Sequence, residues 1–170
     1  MSAADGKQPK RKIIRLQEYD YSTSGAYFVT ICTKDRKNLF APVGADSISA
    51  RMIKRTFSET ISRYPMVECP VFTVMPNHFH AIIEITRADM ESAPTLSDVV
   101  QAFKRYSTVV YTGMVKDGIL PPYDRQIWQR SFYDHVIRNQ QDYEEIYNYI
   151  LANPERWKED SLYTETISNK

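Results

Sequence analysis

The hydrophobic positions of this chain switch between a spacing of two and a spacing near 3.6, and the switches mark out its elements. Tyr27 to Thr33 (YFVTICT) is dense in β-branched and aromatic residues, which predicts a central strand. Leu39 to Gly44, with Pro42, reads as a turn region or a short edge strand. From Ile48 to Tyr64, the apolar residues Met52, Ile53, Phe57, Ile61 and Tyr64 recur at helical spacing, so a helix is expected there, stopped by Pro65. Val71 to Met75 (VFTVM) and His78 to Ile85 (HFHAIIEI) predict two strands, and the Pro76-Asn77 turn signal between them predicts a hairpin. A second helix should open near Thr95, where Asp98 three residues later resembles a capping box. Its expected buried stripe is Leu96, Val99, Val100, Phe103, Val110 and Met114, with Gly118 and Pro121-Pro122 breaking it. Gln126 to Tyr133 (QIWQRSFY) predicts a last strand, and Gln140 to Asn153 a third helix, stopped by Pro154. Strands joined by both a hairpin and helical crossovers predict an α+β fold, a mostly antiparallel sheet with helices packed on it.

Two of these elements carry candidate chemistry. In a strand, residues two apart share a face, so His78 and His80 project together with Ile82 and Glu84, while Phe79, Ala81, Ile83 and Ile85 face the core. Paired imidazoles on one strand face are potential metal ligands, and two of the chain's three histidines stand here. A structural pair would give the same pattern. On the last helix, at about 100° per residue, Tyr143, Ile146, Tyr147, Ile150 and Leu151 form the apolar side. Tyr149 lies roughly 130° from the middle of that stripe, one turn before Asn153, which leaves it as the tyrosine without a packing role. A plain surface tyrosine would look the same. Lys104 and Arg105 fall off the apolar stripe of the second helix and are candidate phosphate contacts. His135 follows the last predicted strand with no role that spacing can assign.

Composition and charge refine this picture without deciding it. At 170 residues, 42% hydrophobic and 25% charged, the chain reads as one ordinary soluble domain. No apolar run approaches the roughly 20 residues that span a bilayer, and the polar, basic start does not read as a signal peptide, so the expected compartment is the cytoplasm. Cys32 and Cys69 form no Cys-x-x-Cys pair and are expected to be reduced. Net charge is only +1, yet Lys7 to Arg15 holds five basic residues and no acid, whereas the chain from residue 140 onward holds seven acids and three bases. Lys10, Arg11, Lys12 and Arg15 could reach nucleic-acid phosphates from such an arm; a solubilising arm is the other reading. The expected layout is a flexible basic arm over 1–12, a single domain over 13–160 and a tail over 161–170.

Taken together and in order, His78-Phe79-His80 at the start of a strand and Tyr149-x-x-x-Asn153 on a late helix resemble the single-tyrosine HUH transposases of the IS200-like class, and more closely the REP-associated tyrosine transposases. YDYSTSGAYFVTICTKDR, VMPNHFHAIIEI, FKRYST and WQRSFYDHVIRNQQDYEEIYNYILANPERW carry the resemblance over about residues 11 to 158. It implies a ferredoxin-like sheet, with the His pair on a central strand and the tyrosine helix close by. It implies a divalent ion, Mg²⁺ or Mn²⁺, held by His78, His80 and the amide side chain four residues after the tyrosine, here Asn153. In the insertion-sequence enzymes that position is usually Gln, so this chain follows the REP-associated pattern.

The implied activity is single-strand DNA cleavage and strand transfer by Tyr149, through a 5′-phosphotyrosine, on hairpin DNA of repetitive extragenic palindromes. A monomer is the expectation over a homodimer. Two alternatives stand beside this one. The first is a non-catalytic module binding hairpin DNA or RNA. The second is a metallohydrolase activating water at His78 and His80, which lacks an HExxH or paired-Asp motif.

Overall fold

The computed structural model describes residues 24–42, 47–86 and 93–165. The basic arm with Lys10, Arg11, Lys12 and Arg15 lies outside the described residues. Four strands form one antiparallel sheet: β1 (Gly25–Cys32), β2 (Val67–Val74), β3 (His78–Ile85) and β4 (Tyr133–Ile137), in the spatial order β2-β3-β1-β4. Helix α1 (Ile48–Ile61) connects β1 to β2, and α2 (Leu96–Lys116) connects β3 to β4. Each of these crossovers skips over one strand, so β3 lies between β1 and β2, and β1 between β3 and β4. This is the ferredoxin-like β-α-β-β-α-β arrangement. A third helix, α3 (Gln140–Ala152), is added after β4.

Strand alternation sorts the side chains into two layers. Tyr27, Val29 and Ile31 of β1 join Phe79, Ala81, Ile83 and Ile85 of β3 against Met52, Ile53 and Phe57 of α1 and Leu96, Val99, Val100 and Phe103 of α2. This is the main core. Phe57 packs on Phe79 at 4.6 Å and on Phe103 at 5.1 Å between ring centroids, so the aromatic rings bind both helices to the sheet. The opposite face carries α3: Ile150 is fully buried against Val71 and Ile82, with Ile146, Tyr143 and Tyr147 around it. The two histidines therefore sit on the α3 face, as the period of two requires.

The local signals explain most boundaries. Ser47 caps α1 by accepting from the Ala50 N–H, and Thr95 and Asp98 form both halves of the capping box of α2. Asn139 caps α3 by accepting from the Asp142 N–H. Strand β2 starts at Val67, earlier than the apolar run suggests, because Pro70 interrupts it. The strand tolerates Pro70 by lying at the sheet edge with its register shifted between Glu68 and Val71.

The last strand is a correction. Gln126 to Phe132 is not a strand; among the described residues it has one isolated bridge, Trp128 to Thr33, and β4 begins only at Tyr133. Ile127 and Trp128 are consecutive yet both pack into the same core cluster, whereas successive strand residues point to opposite faces. The carbonyls of Gln129, Arg130 and Ser131 bond to the Lys104 ammonium instead of a strand ladder. His135 is accordingly inside β4, not after it. Leu151 is a second correction, at 58% exposed rather than part of the stripe. No element covers its side of α3 among the described residues, so the buried stripe is narrow and centres on Ile150.

Candidate active site

The site grows from the end of β3. His78 and His80 are buried, at 0% and 2% exposed, with ring centroids 4.4 Å apart. Each has one nitrogen already engaged. Thr30 lies directly opposite His80 across the β1–β3 ladder, and its Oγ1 is 2.8 Å from His80 Nδ1. His78 Nδ1 is 2.8 Å from Asn77 Oδ1. The Asn77 amide orientation follows from its other contact, since Nδ2 donates to the Leu162 carbonyl at 2.9 Å. Oδ1 can only accept, so His78 Nδ1 carries the proton and Nε2 presents a bare lone pair. That Nε2 is buried and has no hydrogen-bond partner.

Burial disfavours charge on both rings. It lowers the His78 pKa to about 4, partly offset by the nearby Asp160 carboxylate. It also holds His80 well below the ordinary value, with His78 adding to the shift. Neutral imidazoles are the form that binds metal.

The tyrosine helix is fixed over this pair. Ile150 is its hydrophobic seat, and two polar ties position it further. The Tyr143 hydroxyl donates to Glu84 Oε1 at 2.8 Å, and His135 Nε2 is 2.8 Å from Asp142 Oδ2. Glu84 and His135, to which spacing assigns no firm role, thus help to hold the helix that carries Tyr149. Tyr143 is committed to its tie, with its phenol pushed up to about 12 by burial and by Glu84. Tyr147 packs at the edge of the small apolar cluster.

Tyr149 differs from both. It is 44% exposed, its hydroxyl is 3.5 Å from His80 Nε2, and Phe28 lies edge-on to its ring while stacking on His80. One turn later Asn153 is 3% exposed, and its buried Oδ1 has no partner.

Asp160 completes the cluster, and the sequence reading missed it. After Pro154 the chain makes a 3₁₀ turn at Trp157–Glu159, which returns Asp160 over the histidines. The Leu162 N–H donates to Asp160 Oδ1 at 2.6 Å, leaving Oδ2 at 3.8 Å from His78 Nε2 and 3.4 Å from the Tyr149 hydroxyl. One ligand atom from each of His78, His80 and Asp160 lie within 4.8 Å of one another. No spacing rule links Asp160 to a strand some 80 residues earlier; it stands in an acidic stretch that reads as solvated. Burial first, and then the Asp160 charge, raises the Tyr149 pKa.

The donor set fits a divalent cation. Two neutral imidazoles and a carboxylate converge, and two of the nearby buried acceptors, His78 Nε2 and Asn153 Oδ1, have no protein partner. Beside them a cleft of about 290 Å³ is lined by Tyr149, Ala152, Asn153, Arg156, Glu159 and Asp160.

Of the basic candidates, Arg105 is exposed on α2. Lys104 is a correction: it is only 7% exposed, and its ammonium donates to the carbonyls of Gln129, Arg130 and Ser131 at 2.8 to 3.2 Å. Three carbonyls use up the three N–H donors, so none is left over for a phosphate.

Comparison with known proteins agrees with this geometry. Residues 21–153 match the family described as transposase IS200 like. An uncharacterized protein of Haemophilus influenzae is 30% identical over 91% of this chain and 94% of its own length. The REP-associated tyrosine transposase of Escherichia coli is 22% identical over 79% of this chain and 68% of its own. A solved structure of a REP-associated tyrosine transposase bound to a REP hairpin superimposes with a TM-score of 0.59 at 23% identity, covering 84% of this chain and 74% of that one.

Proposed function

Because the chain belongs to the transposase IS200-like family, we propose that it is a metal-dependent endonuclease and strand transferase for single-stranded DNA, with Tyr149 as its nucleophile. The observation that carries the reading is the meeting of an exposed phenol with two buried imidazoles, 3.5 Å from hydroxyl to ring nitrogen. Among the three tyrosines of α3, Tyr143 is bonded to Glu84 and Tyr147 is packed, which leaves Tyr149 facing the cleft.

His78, His80 and Asp160 would hold the ion, with Asn153 Oδ1 beside them as a fourth ligand. A bound divalent cation supplies Lewis-acid polarisation of the scissile phosphate. The protein does the rest. Asn77 holds His78 in the tautomer with Nε2 free, Thr30 engages Nδ1 of His80 so that its Nε2 faces Tyr149, and Phe28 packs on both the His80 and Tyr149 rings. The Tyr149 oxygen attacks phosphorus in line, the bond to the 3′ oxygen breaks, and a 5′-phosphotyrosine and a free 3′-hydroxyl remain. The phenolic proton leaves to water, which reaches this half-exposed side chain, and water returns a proton to the departing 3′ oxygen. Because a phosphodiester is kept in the adduct, a second 3′-hydroxyl can reverse the step and join strands.

Hairpin DNA is the proposed substrate class, supported by the REP hairpin bound in the related solved structure and by the REP-associated relative. The test is to incubate a labelled hairpin oligonucleotide carrying single-stranded flanks with the protein and Mg²⁺ or Mn²⁺, then to run a denaturing protein gel. The reading expects a labelled covalent band that chelator prevents and that Tyr149→Phe abolishes while DNA binding persists. Cutting without a covalent band would replace it with a water nucleophile. Binding without cutting would reduce the protein to a recognition module.

A further inference from the structure

A second cleft, of about 470 Å³, lies on the opposite side of the sheet from Tyr149, between α2 and the loop of residues 125–130. Its rim carries Arg105 from the helix and Arg125 and Arg130 from the loop, all exposed. No carboxylate lines it, and from Gln101 to Lys116 the helix has no acidic residue. Among the described residues none of these three guanidiniums has an ion pair.

The loop wall is irregular in form but firmly held. Lys104 clamps the carbonyls of Gln129, Arg130 and Ser131 from below, and the Trp128 indole donates to Ser107 Oγ of α2 at 2.9 Å. On its other side the loop is bonded to the end of β1, with Lys34 N–H to the Ile127 carbonyl at 2.7 Å and Gln129 N–H to the Cys32 carbonyl at 2.9 Å. Arg125 is held at a φ of +58°, a left-handed conformation that a non-glycine residue adopts at some energetic expense. Rigid backbone with three unpaired guanidiniums above it is suited to a polyanion.

The position of the cleft relates it to the histidines. Cys32, which accepts from Gln129, is the ladder partner of His78. The loop, β1 and β3 therefore lie side by side at this end of the sheet, with the loop two strand spacings, roughly 10 Å, from His78. A nucleic-acid strand leaving the catalytic face can turn around this end and meet the cleft.

We propose that the cleft between α2 and the 125–130 loop is a second DNA site, in which Arg105, Arg125 and Arg130 bind the sugar-phosphate backbone flanking the cut. Lys104 is a positioning residue for its wall. The proposal rests on the nuclease reading for its substrate, but it can be tested separately from it. Arg105→Gln, Arg125→Asn and Arg130→Gln are combined in the full chain, Asn being chosen because it tolerates the left-handed backbone. The control removes Arg51, Arg55 and Lys116, three exposed bases outside the cleft. Binding of a labelled hairpin oligonucleotide with single-stranded flanks is followed by fluorescence anisotropy over a salt series, and covalent adduct is scored at saturating DNA.

Loss of three single-strand phosphate contacts flattens the slope of log K against log salt by about 2, and the control flattens it far less. Saturating DNA restores adduct in the cleft variant. A slope equal to the control's, with adduct intact, overturns the cleft and leaves the nuclease standing. A flattened slope with no adduct in any protein, wild type included, supports the cleft and overturns the nuclease.

Discussion

At the scale of single residues, the site depends on hydrogen bonds that leave the right atoms free. Asn77 and Thr30 engage the Nδ1 atoms of His78 and His80, so both Nε2 atoms face the Asp160 carboxylate and the Tyr149 phenol. Burying these imidazoles in neutral form has a consequence for stability. An unfolded histidine takes up its proton near pH 6.5, whereas buried His78 does so only near pH 4 and His80 also well below 6.5. Between those limits the unfolded chain binds more protons than the folded one, so stability rises with pH and is lost as acid is added. Each ring contributes at most about 1.4 kcal/mol per pH unit. Denaturant unfolding of the chelated protein should therefore give a stability that falls steadily from pH 6.5 toward pH 4. The double variant His78→Gln/His80→Gln should flatten that fall, and an equally steep fall in the variant would contradict the assignment.

At the scale of elements, the predictable parts follow short-range rules and the others do not. β3 runs from His78 to Ile85 as its alternation indicates, and the capping box starts α2 after Thr95. The loop before β4 defeats pattern reading because its order comes from a distant side chain. Lys104 looks like a solvated helix residue by spacing, yet it is buried under three carbonyls some 25 residues later. Lys104→Met keeps the length of the side chain and removes the donors, stranding those carbonyls. Each unsatisfied buried group costs about 1 to 3 kcal/mol, so a total loss of about 3 kcal/mol is expected, allowing for partial rehydration of the loop. Thermal or urea unfolding checks this, and a loss below about 1 kcal/mol would show that the clamp is dispensable.

At the scale of the molecule, the sheet serves two faces with different tasks. One buries the main core under α1 and α2; the other presents the histidines beneath α3, where the apolar seat is small and polar ties from Glu84 and His135 add to it. The His pair and the odd tyrosine are visible in the sequence because a strand and a helix each impose a period. Asp160 is not, because a 3₁₀ turn after Pro154 obeys no long-range spacing and brings it back only in three dimensions. The proposed nucleophile is one phenol, Tyr149, set apart from the other tyrosines of α3 by its place against the histidines. The most direct measurement is to trap the adduct with hairpin DNA and Mn²⁺, digest protein and DNA, and sequence the nucleotide-bearing peptide by mass spectrometry. The modification should map to Tyr149 alone. A nucleotide on Tyr143, Tyr147 or any tyrosine outside α3 would contradict the account.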